Sequence, residues 1–233
     1  MTIFALRALP VALLSLTASL AWADEIPNNT VRIGEYWVFY HTSGSALSGP
    51  FIPPGEDLTV TVKNVQTPYL AYLRRLSTHF TAELAFGIPP LTKTYGKGPA
   101  TLAGTVPYNG QELSSARWFA PTLSLLYMFF DESYALRPYI GAGVNYTAFF
   151  NRNSTPAGDA AAGGPTRVEL PSSVGPSGTI GLSYRLPHNW SLSASYSITR
   201  VITHSTAITA GVVRSSDVSF GPQAFVAAVG YSF

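Results

Sequence analysis

Gln223-Ala-Phe-Val-Ala-Ala-Val-Gly-Tyr-Ser-Phe233 decides how the rest of the chain is read. Its odd-numbered residues, Phe225, Ala227, Val229, Tyr231 and Phe233, are apolar or aromatic, and its even-numbered ones are small or polar apart from Val226. Alternation with period two over about ten residues is the repeating unit of a transmembrane β-barrel, with one face toward lipid and the other toward the lumen. A half-buried strand of a soluble sandwich alternates in the same way, so the choice rests on the remaining segments. Val229, Tyr231 and Phe233 are expected to serve as the assembly signal, the outward residues of a last strand that the barrel-assembly machinery reads.

Seven more segments alternate. The first, 31–42, contains Glu35; a carboxylate is costly in lipid, so Tyr36, Val38 and Tyr40 are expected outward and Trp37 and Phe39 inward. In 65–75, Leu70 and Tyr72 read as outward and Tyr69, Ala71 and Leu73 as inward. Segment 80–88 places Phe80, Ala82, Leu84, Phe86 and Ile88 opposite Thr81, Glu83, Ala85 and Gly87. A single strand over 116–129 directs Phe119, Leu123, Leu125, Tyr127 and Phe129 outward and Trp118, Thr122 and Ser124 inward. Segment 137–150 turns Ile140, Ala142, Val144, Tyr146 and Ala148 outward, with Tyr139, Gly141, Gly143, Asn145 and Thr147 inside. In 178–185, Ile180, Leu182 and Tyr184 alternate with Thr179, Gly181 and Ser183. The seventh segment, 190–199, sets Trp190, Leu192, Ala194, Tyr196 and Ile198 against Ser191, Ser193, Ser195, Ser197 and Thr199.

The connections alternate in length. Those around 77–79, 131–136 and 186–189 are short, whereas 43–64, 89–115, 151–176 and 202–220 are long. Short turns at one rim and long loops at the other are the habit of outer-membrane barrels, and a sandwich has no reason to adopt it. Aromatics gather toward both rims: Phe80, Phe129, Tyr184, Trp190, Tyr231 and Phe233 at the short-turn end, and Tyr40, Phe86, Phe119 and Phe150 at the other. The reading is all-β, an eight-stranded antiparallel transmembrane β-barrel with no free sheet edge. The long connections, rich in Gly, Pro, Ser and Thr, read as exposed and mobile.

Composition agrees. Charged residues make up 11% of the chain, against about 25% in soluble domains. The formal net charge of +2 gives no electrostatic basis for binding nucleic acid. The absence of cysteine excludes a disulfide framework and a thiolate metal site. Residues 1–23 read as a signal peptide, with Arg7 before an apolar run and Ala21-Trp22-Ala23 as the cleavage site, leaving 24–233 as the barrel domain. The expected location is therefore the outer membrane of a Gram-negative bacterium after signal-peptide cleavage, in contact with outer-membrane lipid and lipopolysaccharide.

Ala120-Pro-Thr-Leu-Ser-Leu-Leu-Tyr-Met-Phe-Phe130 and Arg137-Pro-Tyr-Ile-Gly-Ala-Gly-Val-Asn-Tyr-Thr-Ala-Phe-Phe150 resemble the OmpW family of small outer-membrane proteins. Shorter echoes are Arg32-Ile-Gly34, Thr81-Ala-Glu-Leu84 and Gly230-Tyr-Ser-Phe233. The resemblance implies an eight-stranded barrel with a narrow, largely hydrophobic lumen that passes small apolar molecules inward. The chain departs from that pattern in the all-hydroxyl inward face running from Ser191 to Thr199, and in the small Ala85 where a bulky gate residue would be needed.

The expected function is thus a channel for passive passage of small, mostly hydrophobic permeants, without a cofactor. Its expected lining is Trp37, Phe39, Tyr69, Leu73, Glu83, Ala85, Trp118, Tyr139, Asn145, Ser193, Ser195 and Ser197. Trp37, Phe39, Tyr69 and Trp118 are expected to form an apolar vestibule. Below it, Glu83, Asn145 and either Arg75 or Arg185 are expected to plug the lower barrel, because an inward charge seeks a partner. A plugged floor directs permeants sideways into lipid, with Pro68, Pro121 and Pro138 as candidate weak points in the wall. The alternative is a non-conducting structural or receptor barrel whose loops meet external partners. A lipid-modifying enzyme built on His204, Ser205 and a carboxylate such as Asp217 or Glu83 is a third reading, disfavoured for want of a triad spacing. His41, His79, His188 and His204 lie apart, without the spacing of metal ligands.

Overall fold

The structure, a computed structural model, describes residues 27–52, 58–98 and 106–233. The expected signal peptide lies outside the described residues. In chain order the elements are β1 (Asn29–Gly44), β2 (Thr59–Val62), β3 (Val65–Arg75), β4 (Phe80–Gly87), β5 (Leu91–Lys97), β6 (Glu112–Phe119) and β7 (Thr122–Met128). There follow β8 (Leu136–Ser154), α1 (Pro156–Ala162), β9 (Thr166–Glu169), β10 (Ser173–Arg185), β11 (Trp190–Thr199), β12 (Val201–Thr209) and β13 (Val212–Ser232). Strands β1, β3, β4, β7, β8, β10, β11 and β13 pair in that order, and β13 returns to β1, so eight antiparallel strands close into a ring. Closure satisfies backbone groups that would be costly in hydrocarbon. At the seam, Asn29 and Phe233 exchange backbone hydrogen bonds of 3.2 and 2.8 Å.

Seven ring strands point their side chains as the alternation predicts. Leu84, Leu123, Ile140, Ile180, Leu192 and Val229 are exposed on the outer wall, while Ser124, Asn145, Ser191 and Ala228 are buried inside. Trp190 packs on Tyr231 with ring centroids 5.2 Å apart, and Tyr127 packs edge-on against Phe80 and Phe129 at 5.5 and 5.2 Å. These contacts build the aromatic band at the short-turn rim.

The first strand reverses the expectation. Val38 is 1% exposed and Tyr36 and Tyr40 line the lumen, whereas Phe39 is 42% exposed and Trp37 packs on the outward Phe225 at 5.6 Å. Glu35 shares the outer face with them. Arg32 and Glu35 are an odd number of positions apart, so one charge must face out whichever register is chosen. The arginine goes inside because a carboxylate is waiting there, and every side chain of the strand follows it.

The expected single strand over 116–129 is two strands, β6 and β7, broken at Ala120-Pro121, where proline has no N–H for the ladder. The described parts of the long connections contain regular elements. The stretch 202–220 belongs to the β12–β13 hairpin, turned at Ala210 and Gly211 with φ of 48° and 83°. The connection 151–176 holds α1, capped by the Thr155 side chain, and β9, which pairs with β12. Strands β2, β5 and β6 extend the sheet beside the top of β8. Apart from residues 116–119 of β6, which the alternation places on a strand, these elements stand above the ring and carry Thr, Ser and Val without an apolar stripe, so they read as loops.

Candidate functional site

The interior is a column of small chambers above a solid floor. Tyr69, Ala71, Leu73, Leu126, Met128, Tyr139, Val226 and Ala228 pack together across the lumen, as side chains do in a barrel of this size. Gly181 makes room for the plug: a Cβ there would meet the Tyr139 ring at 2.4 Å and the Ala194 carbonyl oxygen at 2.7 Å.

An ion pair crosses the plug. Arg32 Nη1 donates to Glu83 Oε2 at 3.3 Å, and the two side chains are 6% and 12% exposed. Arg32 Nη2 reaches Ser183 Oγ at 3.4 Å, and the guanidinium lies 5.8 Å from the centre of the Tyr139 ring. Its Nε finds no hydrogen-bond partner among the described residues. Arg32 lines the cavity below and Glu83 the cavity above, so the bond between them is the boundary.

This corrects the expected polar cluster. Arg75 and Arg185 sit at the lower mouth, where Arg75 pairs with Glu132 at 2.5 Å and Arg185 donates to the Glu132 carbonyl at 2.6 Å. Asn145 is higher and mends the break between β6 and β7. Its Nδ2 donates to the carbonyls of Ala120 and Pro121 at 3.2 and 3.5 Å and to Thr122 Oγ1 at 2.8 Å, and Thr147 donates to its Oδ1 at 2.6 Å. Parity on the first strand shows only that either Arg32 or Glu35 faces inward; the position of Glu83 across the lumen selects Arg32 as its partner.

Above the floor lies a cavity of about 40 Å³ ringed by hydroxyls, among them Ser124, Ser177, Thr179, Ser195, Ser197 and Thr199, with Ala85 also in its wall. Ser197 donates to Thr179 at 2.9 Å and Thr199 to Ser177 at 3.3 Å, so the ring partly satisfies itself. Ser193 lies lower and reaches the Ala228 carbonyl at 3.4 Å. The next chamber, about 60 Å³, is apolar, walled by Tyr36, Val38, Tyr40, Trp118, Phe149, Val201 and Phe220. Trp118 is 8% exposed and donates to Thr92 Oγ1 at 2.8 Å. Of the four residues expected there, Trp37 and Phe39 have no part in it and Tyr69 lies lower, in the floor and the wall of the hydroxyl-ringed cavity; residues 36, 38 and 40 take their places. The outermost chamber, about 110 Å³, is bounded by Leu47, Val60, Tyr108, Leu113, Val168 and Arg214 among others.

Neighbouring chambers share walls. Thr94, Leu170 and Phe220 border both upper ones, and Tyr36, Ala120 and Thr199 border the middle and the hydroxyl ring. Below the floor a polar cavity of about 460 Å³, lined by Arg32, Arg75, Arg137 and Arg185, shares no residue with those above.

The wall has a seam at the hydroxyl ring. Pairing of β4 with β7 ends at Ala85 and Thr122, level with the Ala120-Pro121 break. Phe86 and Ala120 both border the cavity there, and Phe86 and Phe119 meet over the gap with centroids 5.8 Å apart.

His204, Ser205 and Asp217 do not come together as a hydrolytic trio. His204 Nδ1 and Asp217 Oδ1 are 2.7 Å apart on the outer face of the β12–β13 hairpin, but Ser205 points to the opposite face and lines the outermost chamber.

A family model described as the OmpW family matches residues 74–233. The chain belongs to the OmpW family. Outer membrane protein W of Vibrio cholerae serotype O1 is 32% identical over 122 residues, 52% of this chain and 55% of its own length. The Dibenzothiophene metabolism operon protein PahQ of Pseudomonas aeruginosa is 34% identical over 133 residues, 57% of each chain. The chain thus spans a little over half the length of these curated relatives. In fold it is similar to the crystal structure of the outer membrane protein OprG from Pseudomonas aeruginosa, with a TM-score of 0.78 and 21% identity over 89% of this chain and 96% of that one. This OmpW-family barrel resides in the outer membrane of a Gram-negative bacterium.

Proposed function

We propose that the protein is a passive channel that takes small, mostly hydrophobic molecules in at its loop end and releases them sideways into the outer membrane. The observation that carries this reading is the series of chambers with shared walls, apolar at the top and hydroxyl-lined at the bottom, which ends on a floor of packed side chains. An apolar solute loses its hydration on entry and has no axial way out past Arg32 and Glu83. The seam beside Phe86 and Ala120 borders the hydroxyl ring, and beyond it lies hydrocarbon, the solute's preferred solvent. The name of PahQ, from an operon of dibenzothiophene metabolism, adds support for an apolar cargo.

Cysteines at 86 and 119 test the route in a chain that has none of its own. Oxidation of the Phe86→Cys, Phe119→Cys pair is expected to stop uptake of a small neutral aromatic into whole cells, with recovery on reduction. Unchanged uptake with the disulfide verified by mass would refute the lateral route. The closed floor also favours a second reading, a non-conducting receptor barrel. In that case the unmodified protein gives no uptake above a barrel-free control.

A further inference from the structure

Arg214 stands on the inward face of β13, where the strand rises above the ring, and it is 2% exposed. Nε donates to the Pro50 carbonyl at 3.1 Å. No carboxylate pairs with it among the described residues; the acidic side chains in ion pairs there belong to other cations. A carbonyl occupies a donor but supplies no counter-charge among the described residues, and a buried charge without one is unfavourable.

The surrounding chain is arranged to cover this side chain. Ser48 and Ser215 exchange backbone hydrogen bonds of 2.8 and 3.0 Å, which lays the segment 45–50 along the hairpin. Gly49, at φ +133°, lies where a Cβ would come 2.7 Å from the Val213 carbonyl oxygen and 3.2 Å from the Arg214 Cγ. Packing alone gives no reason for a guanidinium here, since a methionine would fill the space without a charge to desolvate.

Arg214 borders the outermost chamber, about 110 Å³, whose other walls are chiefly apolar, Leu47, Leu113, Val168 and Phe220 among them. An apolar cavity of ~150 Å³ accepts benzene. Together with the adjoining chamber of about 60 Å³, which shares Thr94, Leu170 and Phe220 with it, the space suits a one-ring or short-chain body with an anionic head against the arginine. A guanidinium matches the planar fork of a carboxylate, and a single arginine balances a single charge, whereas a phosphate would keep further oxygens unpaired. The cover over residues 45–50 and the inward direction separate the site from lipid phosphates outside.

We propose that the outermost chamber is an entry site selective for small apolar carboxylic acids in their ionised form, with Arg214 binding the carboxylate. This rests on the channel reading and names the class of solute that its mouth prefers. Because Phe220 and Leu170 border the next chamber as well, an acid held at Arg214 has its apolar end directed down the column.

Benzoate and its neutral isostere benzamide are the probes, titrated at neutral pH against the full barrel in lipid nanodiscs and followed by the NMR signals of the Arg214 side chain and the Ser215 amide. Benzoate is expected to bind about ten-fold or more tighter than benzamide. Arg214→Met, checked for folding by heat-modifiable gel mobility, is expected to abolish that preference and leave benzamide binding intact. Equal affinities in the unaltered protein overturn the assignment without recourse to any variant, and so does a preference that survives in Arg214→Met. Uptake of a neutral aromatic separates this inference from the one beneath it. Retained neutral uptake without acid preference refutes the Arg214 site alone, whereas absence of neutral uptake in the unaltered protein refutes the channel.

Discussion

Removing Glu83 should leave a buried arginine with no counter-charge. Arg32 is 5% exposed, its Nε lacks a partner among the described residues, and its second contact, to Ser183, is long at 3.4 Å. Two unit charges at the observed 3.3 Å attract by about 5 kcal/mol at an effective dielectric near 20, most of which offsets the desolvation of the two ions. The net worth of the pair is therefore small, but the cost of breaking it is not. Glu83→Leu is expected to destabilise the barrel by roughly 3–5 kcal/mol, and Arg32→Met by a similar amount, since either leaves one buried ion alone. The double variant Arg32→Met, Glu83→Leu replaces both ions with apolar side chains and should be less damaging than either single change. Urea unfolding of the four proteins in lipid vesicles, followed by tryptophan fluorescence, gives the cycle. Single variants that each cost less than about 1 kcal/mol, or costs that simply add, would refute the argument that this pair is a dry, coupled floor.

Three further expectations follow from particular placements. Arginine at the outward Leu192 should cost roughly 2–4 kcal/mol and exceed the cost at the inward Ser193, and a Cys at Trp37 should react with a lipid-soluble maleimide where one at Val38 does not; either order reversed means a register shifted by one. Asn145→Ala should cost roughly 1–3 kcal/mol, because the carbonyls of Ala120 and Pro121 lose their shared donor, and Asn145→Leu should not recover it, as chemical denaturation of both would report. The hydrogen bond from Lys93 holds the Glu112 carboxyl below its ordinary 4.5, so the link between β5 and β6 is fully present above that value and lost as pH falls through the lowered one; amide shifts of Thr94 and Ser114 should move in that acid range, and Lys93→Met should raise the midpoint of the response toward the ordinary value.

Alternation by itself determined the barrel. Along β3, β4, the end of β6, β7, β8, β10, β11 and the lower half of β13, lipid on one side and packed lumen on the other select opposite kinds of residue at successive positions, and a period of two leaves its mark on every strand. Tyr69, Leu73, Glu83, Trp118, Tyr139 and the seryl face of β11 could be placed from that mark alone. Local reasoning failed where two demands met on one strand. Arg32 and Glu35 each disfavour lipid, their parity forbids hiding both, and only the position of Glu83 across the lumen selects the arginine; Trp37 and Phe39 are outside for that reason. The same holds above the membrane, where no lipid imposes a stripe and ordered strands read as loops. Arg214 is one residue in a polar-looking hairpin until Gly49 and Pro50, far away in sequence, close over it. Side-chain direction is a local property of a strand, but whether a charge finds a partner is decided by which strands closure brings face to face.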